Sequence, residues 1–465
     1  MADIRDHLIV GTIVHSLSID DLNIINKGYL AVKDGKIVAI GDASSVQDVS
    51  EYISKHGLNC EITQLSETQF IMPGFIDCHI HAPQMPNIGL GLGLPLLDWL
   101  DTFTFPLETE YKNVDFASKV YDKVVSRTLE CGTTTASYFA TIHKESTLAL
   151  ARACDIQGQR ALIGKVNMNA LIPSYYREDT YDSIQDTKDI INAISRMNSK
   201  LIKPIITPRF VLSCDMHLMT ELAKIAKENN LHIQSHISEN KAEVKVVAKT
   251  YSSNKNYASV YDEAQLLTNK TIMAHGVYLT DDELILLKQR GTSIAHCPSS
   301  NTNLASGLCN VRRLLKAGLT VGLGTDISGG NTCLILDVMR RALDVSQHLS
   351  FLKSDNVVCP SEMVIEEQTS LTHANVIYLA TLGGAEALSL DSQIGNFKFG
   401  KDFDALIVDI NVPGSPIVNF EMTDALTTKL ASDDDAKISN YLQKFILVGD
   451  ERNIIKVFVD GKQVK

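Results

Sequence analysis

The chain has 465 residues, of which 45% are hydrophobic and 21% are charged, a composition that is typical of globular enzymes and excludes a disordered chain. Its formal net charge of −12 would repel a phosphate backbone, so nucleic acid is excluded as a partner. A chain of this length predicts two or three domains, unless one of them is a large barrel.

Both ends of the chain have the pattern of short β-strands. The apolar segments are 7–15, 29–33, 36–40, 404–408 and 454–459. Asp-Gly pairs at 34–35 and 460–461 are hairpin turn signals beside them. We therefore predict that residues 1–72 and 388–465 are the two parts of one small β-sandwich domain.

Between these ends, short apolar runs alternate with amphipathic helical segments. The eight candidate strands are 75–81, 133–140, 161–168, 202–210, 231–236, 271–275, 293–297 and 320–326. Segments 216–229, 281–289 and 311–317 have helical periodicity. This alternation indicates a parallel sheet, and we predict an α/β fold with a (β/α)₈ TIM barrel over residues 73–387.

The cysteines and the N-terminus bear on the cellular compartment. Nine cysteines are scattered between Cys60 and Cys359 with no CxxC pair, so we expect reduced thiols and a cytoplasmic protein. The first residues lack a basic start followed by an apolar core, and no run of about 18 apolar residues occurs. Neither secretion nor a membrane partner is expected.

Four of the predicted strands carry residues that can bind a metal or transfer a proton at their carboxyl ends. His79 and His81 project from the same face of their strand because side chains alternate with period two. His236, His275 and Asp326 end three later strands, and in such barrels the carboxyl ends of the strands form the active face. Each histidine alone would be interpreted as structural. Together with the carboxylate they favour a zinc site, with iron(II) as the alternative.

Glu239 follows His236 by three residues, just after the strand end. There it could take a proton from a water that the metal has acidified and pass it to a ring nitrogen.

Two rival motifs fit less well. His143-Lys144-Glu145 resembles an H-x-E zinc motif but lacks the P-C-x-x-C that completes it. The glycines of 89–93 do not match a phosphate loop, and we interpret this segment as a flexible loop over the barrel mouth.

The chain resembles the amidohydrolase superfamily. The resemblance rests on the segment 73–81, Pro-Gly-Phe-Ile-Asp-Cys-His-Ile-His, together with His236, His275 and Asp326. Further segments are similar to the members that deaminate free guanine: 82–84, 94–100, 104–106, 208–210, 236–239, 296–301 and 324–326. The match spans nearly the whole chain. It implies a homodimer and hydrolytic deamination of a free purine base, with guanine as the expected substrate.

The resemblance also implies roles for single residues. It implies that His79, His81, His236 and Asp326 hold one zinc ion per subunit, and that His275 lies beside the attacking water. Related enzymes with two metals have a lysine at the end of the fourth strand, where this chain has Arg209-Phe210, and Lys203 lies at the wrong end of that strand. A mononuclear site is therefore expected.

Substrate recognition and proton transfer are expected from a partly overlapping set. Gln84 and Arg209 would hydrogen-bond the purine edge, and Phe210 would pack against the ring. A guanidinium fork suits the adjacent O6 and N7 acceptors of guanine. The expected substrate-binding residues are Gln84, Arg209, Phe210, His236, Glu239 and Asp326. The expected catalytic residues are Glu239, His275 and Asp326.

In the expected reaction Glu239 moves a proton from water to guanine N3 while C2 is attacked, and ammonia leaves to give xanthine. The sequence leaves two alternative functions open. One is a deaminase or chlorohydrolase of the same superfamily that acts on adenine, cytosine or a related aryl amine. The other is a non-catalytic scaffold with an amidohydrolase-like barrel. The role of His296 is also open.

Overall fold

The structure is a computed structural model that describes residues 5–43, 57–58, 60–354, 370–418, 420 and 433–465. His56, expected to be structural or on the surface, and Cys359, expected to be a reduced thiol, lie outside the described residues. Within them the chain forms two sheets, one from the middle of the chain and one from its two ends. This arrangement confirms the predicted barrel with a terminal β-domain.

The eight predicted barrel strands all form, in the predicted order. They are β6 (Phe75–His81), β7 (Thr133–Phe139), β8 (Arg160–Gly164), β10 (Ile202–Pro208), β11 (His232–Ile237), β12 (Thr271–His275), β13 (Ser293–His296) and β14 (Val321–Leu323). A two-residue strand, β9 (Val166–Asn167), adds to β10. Neighbouring barrel strands are parallel. They are short apolar runs because parallel strands in such folds are covered on both faces.

Polar contacts join the first and last strands of the barrel. The carboxylate of Asp77 on β6 accepts hydrogen bonds from the backbone N–H of Thr325 at 3.0 Å and from its hydroxyl at 2.5 Å. Next to them the backbone N–H of Asp326 donates to the carbonyl of His79 at 2.8 Å. These contacts place the segment that follows β14 against β6, the strand that carries His79 and His81.

The helices include the three predicted amphipathic segments. In chain order they are α1 (Leu96–Trp99), α2 (Phe105–Thr109), α3 (Val114–Glu130), α4 (Lys144–Gln157), α5 (Thr180–Met197), α6 (Met216–Glu228), α7 (Lys241–Thr250), α8 (Tyr257–Glu263), α9 (Asp281–Arg290), α10 (Pro298–Asn303), α11 (Val311–Lys316), α12 (Ile335–Ser354), α13 (His373–Ala380), α14 (Leu382–Ala387) and α15 (Asp434–Leu447). Their ends follow local sequence signals. Helix α9, for example, begins with a capping box between Thr280 and Glu283 and is capped at its carboxyl end by Gly291, whose φ is 72°.

The terminal sheet combines both ends of the chain. Its strands are β1 (His7–Ser18), β2 (Asp21–Lys33), β3 (Lys36–Asp42), β4 (Ile62–Gln64), β5 (Gln69–Pro73), β15 (Ala405–Asp409), β16 (Ile454–Val459) and β17 (Lys462–Gln463). The strand order is β17-β16-β15-β5-β1-β2-β3, with β4 paired to β1. A bridge between Lys36 and Asp402 brings β3 back towards β15. Side chains from both halves, such as Ile37 and Phe458, therefore share one buried core.

A buried ion-pair cluster joins the terminal domain to the barrel. Arg160, the first residue of β8, donates to Asp404 at 2.9 and 3.0 Å and to Asp402 at 2.9 Å. All three residues are buried. In the described part of the chain, no helix is both long and apolar enough to span a membrane.

Candidate active site

Four predicted ligand side chains converge at the carboxyl ends of the barrel strands. One nitrogen or oxygen atom each from His79, His81, His236 and Asp326 lies within 4.8 Å of the others. His79 Nε2 is 3.1 Å and His81 Nε2 is 3.4 Å from the same oxygen, Oδ1, of Asp326. The period-two spacing on β6 directs both imidazoles into the same space, as predicted.

The donor set fits a divalent cation. His236 places Nδ1 2.5 Å from the carbonyl oxygen of Arg209, so Nδ1 donates a proton and Nε2 carries a lone pair. That nitrogen lies only 3.2 Å from His81 Nε2. Burial lowers the pKa of His81 and of His236 well below the usual range, so both imidazoles are neutral, as metal ligation requires. A cation between these nitrogens and the carboxylate would bind the lone pair of His236 Nε2.

Several residues in or next to the site have a strained backbone conformation. Ser238, His275 and Asp326 have φ values of 49°, 75° and 48°, in the left-handed region that residues other than glycine rarely adopt. His275 ends β12, Asp326 follows β14 by three residues, and Ser238 precedes Glu239. Such strain persists where surrounding contacts over-determine the backbone, and it often occurs at functional sites.

Glu239 and His275 lie together beside the ligand cluster. His275 Nε2 is 3.4 Å from Glu239 Oε2 and 3.7 Å from Asp326 Oδ2. Its Nδ1 lies 2.8 Å from the Oδ1 of Asn301, which can only accept, so Nδ1 donates and Nε2 presents a lone pair to the site. The structure thus brings together the three residues predicted to be catalytic.

The two carboxyl groups of the site have opposite pKa shifts. Burial raises the pKa of Glu239 well above its usual range, and the nearby Asp326 and Glu243 carboxylates raise it further. Burial also opposes ionisation of Asp326, but the charge and the hydrogen bond of the neighbouring His79 imidazole overcome it and hold the pKa of Asp326 well below its usual range. Paired groups with separated pKa values are typical of acid–base sites.

The loop that carries Glu239 is held by Glu243, on the first turn of α7. One Glu243 oxygen accepts hydrogen bonds from the backbone N–H groups of Glu239 at 2.9 Å and Asn240 at 3.1 Å. The other accepts from the Tyr257 hydroxyl at 2.6 Å. The backbone of Glu239, the candidate general base, is therefore held in place even though Glu239 lies in a loop after a strand.

A cavity of about 410 Å³, including its open mouth, lies over the ligand cluster. Its lining residues are His81, Gln84, Leu96, Trp99, Leu100, Arg209, Phe210, His236, Glu239, Glu243, His275, Leu304 and Asp326. Apolar walls with a few converging polar groups suit a small flat heterocycle. All the predicted substrate-binding residues line this one cavity.

The polar end of the cavity is organised by a buried carboxylate that sequence analysis missed. Glu108 on α2 accepts hydrogen bonds from Arg209, Gln84 and Tyr176. Gln84 also accepts from the backbone N–H of Ser328 at 3.0 Å. The only local signal was the motif 104–106, two residues before Glu108. Asn301 is the last residue of the motif 296–301, and no sequence signal distinguished Glu243.

The rival motifs lie away from this cluster. His143 precedes α4 and, with Lys144 and Glu145, lines a separate surface groove. In the 85–93 loop, the carbonyl of Leu90 accepts from the Trp99 indole at 3.2 Å and so supports a wall of the cavity. Its predicted flexibility stays a prediction.

His296 and Lys203 are placed outside the ligand set. His296 is fully buried, and neither ring nitrogen has a hydrogen-bond partner among the described residues. Burial lowers its pKa to about 3, which indicates a neutral core residue. Lys203, at the start of β10, lines a different small cavity with Arg160. The lysine is thus remote from the ligands, as expected.

Comparisons with known proteins agree with this geometry. The model of the amidohydrolase family matches residues 70–464. The guanine deaminase of Homo sapiens is 47% identical over 463 residues, which covers 98% of this chain and 96% of that protein. The guanine deaminase of Escherichia coli K12 is 31% identical and covers 95% of this chain and 92% of its own length.

A solved structure extends the likeness to three dimensions. The guanine deaminase of C. acetobutylicum, determined with guanine bound in its active site, superimposes with a TM-score of 0.85. It is 33% identical in sequence and covers 99% of this chain and all of its own. Both the barrel and the terminal sheet are therefore common to the two molecules.

Proposed function

Because the chain belongs to the amidohydrolase family, we propose that it hydrolyses the exocyclic C–N bond of guanine, giving xanthine and ammonia in guanine catabolism. The observation that carries this proposal is a single cavity that contains both a cation-type ligand cluster and the Arg209–Gln84 pair suited to a purine edge. The similarity to guanine deaminases over nearly the whole chain supports it.

We propose that His79, His81, His236 and Asp326 hold one zinc ion per subunit, with iron(II) as the alternative. A mixed imidazole and carboxylate set suits either ion. When bound, the cation would supply Lewis acidity that activates water for attack at neutral pH.

Guanine is oriented by groups at the opposite end of the cavity. The Arg209 guanidinium and the Gln84 amide carry N–H donors, which match O6 and N7 of guanine. Adenine would place an amino donor against the same donors. Phe210, which is 8% exposed and lines the cavity, supplies an apolar surface for the ring. This pattern favours guanine over adenine.

Glu239 moves the protons of the reaction. Its raised pKa makes it an effective acceptor of a proton from water and an effective donor to N3 of the base. His275, with its Nε2 lone pair fixed by Asn301, and ionised Asp326 lie where one of them can accept a hydrogen bond from the proton that the attacking oxygen keeps, which helps to hold that oxygen over C2. Glu239 then takes the remaining proton from the oxygen now bonded to C2 and passes it to the C2 amine, so that ammonia leaves and the C2 carbonyl of xanthine forms.

Ammonia release across guanine, adenine, cytosine and guanosine tests the proposal. We expect guanine to be the preferred substrate and the purified protein to carry about one zinc per chain. Preference for adenine or cytosine would replace the substrate assignment. A metal-free protein that releases no ammonia from any of them would support a scaffold role instead.

We further propose a cytoplasmic homodimer. The eight cysteines among the described residues are all free thiols, which fits a reducing compartment. The dimer rests on the family resemblance. Light scattering of the purified protein tests it, since a mass near 51.1 kDa would show a monomer.

A further inference from the structure

Glu108 is the most completely bonded polar side chain at the substrate end of the cavity. Its side chain has no exposed surface. Oε2 accepts from Arg209 Nη1 and from the Tyr176 hydroxyl, both at 2.7 Å. Oε1 accepts from Gln84 Nε2 at 2.8 Å and from Arg209 Nη2 at 3.2 Å. Four donors therefore occupy the four lone-pair positions of one carboxylate.

The contacts with Glu108 restrict the conformations of Arg209 and Gln84, the two side chains proposed to face the purine. Arg209 is held by a bidentate, charge-assisted pair and lies over the Phe105 ring, with its Cζ atom 5.3 Å from the ring centre. Gln84 donates through Nε2 to Glu108 while its Oε1 accepts from the Ser328 N–H at 3.0 Å. A flipped amide would lose both contacts and place its oxygen against the carboxylate.

The consequence is a fixed pattern of donors. With its amide orientation set, Gln84 has its second Nε2 hydrogen left to offer, and Arg209 has only N–H groups. Neither can present an acceptor to the base. An unanchored Gln84 could rotate and accept from an amino group as readily as it donates to a carbonyl group.

We infer that Glu108 is a positioning residue that sets this donor-only edge and so makes the site select a purine with an oxygen at C6. The inference rests on the proposed function. Glu108 itself makes its contacts to Arg209, Gln84 and Tyr176 rather than to the cavity, since it is fully buried and does not line it. Its charge also balances that of Arg209 in a buried setting, where an unpaired guanidinium would be costly.

The test compares two competitive inhibitors that differ at C6. Hypoxanthine has O6 and N7, whereas purine lacks O6 and has no substituent at C6. Their inhibition constants against guanine turnover are measured for the wild type and for Glu108→Gln. We expect hypoxanthine to bind about 30-fold more weakly to the variant, the equivalent of about 2 kcal/mol, and purine to change by less than about 3-fold.

A matched control is Glu283→Gln. Glu283 is another buried carboxylate, which accepts from the backbone N–H groups of Thr280 at 2.8 Å and Ala258 at 3.0 Å and does not line the cavity. Its replacement should lower stability without changing the ratio of the two inhibition constants. If Glu108→Gln does not fold, Glu108→Asp carries the same expectation, because the shortened carboxylate cannot reach all its donors.

Selective weakening of hypoxanthine in the Glu108 variant supports the inference. Equal weakening of both inhibitors, or no weakening, overturns it, because a merely structural residue would affect them alike. Failure of the proposed function is distinguishable: the wild type itself would then release no ammonia from guanine.

Discussion

At the scale of single residues, the site depends on buried polar groups whose orientation is fixed by one partner each. The Arg209 carbonyl sets the proton position on His236, and Asn301 does the same for His275. Glu243 fixes the backbone of Glu239. In a buried site such partners decide which atom offers a lone pair and which a proton, so geometry and protonation are set together.

Replacing Glu239 by Gln tests its role in moving protons. The amide keeps the size of the side chain but cannot accept a proton from water, so we expect turnover of guanine to fall by roughly 10²–10⁴-fold. Zinc content should be unchanged because Glu239 is not in the ligand cluster. Steady-state kinetics and metal analysis of the same preparation measure both. Near-normal turnover would remove Glu239 from the mechanism.

At the scale of elements, the barrel and the terminal sheet are joined by a buried charge cluster. Arg160 begins β8, and Asp402 and Asp404 lie just before β15. The side chains of all three are at most 3% exposed. Buried carboxylates that lose their partner are strongly destabilising, so this cluster should contribute to how firmly the two sheets are joined.

Arg160→Met should therefore destabilise the protein by about 3–5 kcal/mol, because two buried carboxylates lose their guanidinium partner. Arg290→Met is the control, since Arg290 makes a similar two-point contact with Asp262 on the surface. That variant should be much less destabilised, because an ion pair exposed to solvent contributes little to stability. Urea unfolding followed by tryptophan fluorescence and by circular dichroism compares the two. Similar losses of stability in the two variants would contradict the expectation that the buried cluster contributes more than a surface ion pair.

At the scale of the whole molecule, buried neutral histidines should make the fold sensitive to acid. His15 in the terminal sheet is 3% exposed, and its Nδ1 accepts from the Phe397 N–H at 3.3 Å. Burial, with Lys398 and Lys401 nearby, lowers the pKa of His15 to about 4. The unfolded chain therefore takes up the proton first as the pH falls.

The sign of the effect follows from that order. The stability that neutral His15 contributes is fully present above the unfolded pKa of about 6.5 and is lost progressively as the pH falls towards 4. Between pH 7 and 5 this residue alone should cost about 2 kcal/mol. Thermal unfolding of the wild type and of His15→Gln over this range measures it. The variant should show a shallower decline, and identical declines would contradict the expectation.

The sequence by itself determined the eight barrel strands and their order, and that His79 and His81 share a face. These features are encoded locally, in short apolar runs and in the two-residue period of a strand. Tertiary structure decided the rest: that Glu108 pairs with Arg209, that Asn301 orients His275, and that Asp326 contacts His79. These partners are far apart in the chain, or follow no repeating pattern, and only barrel closure brings them within hydrogen-bonding distance.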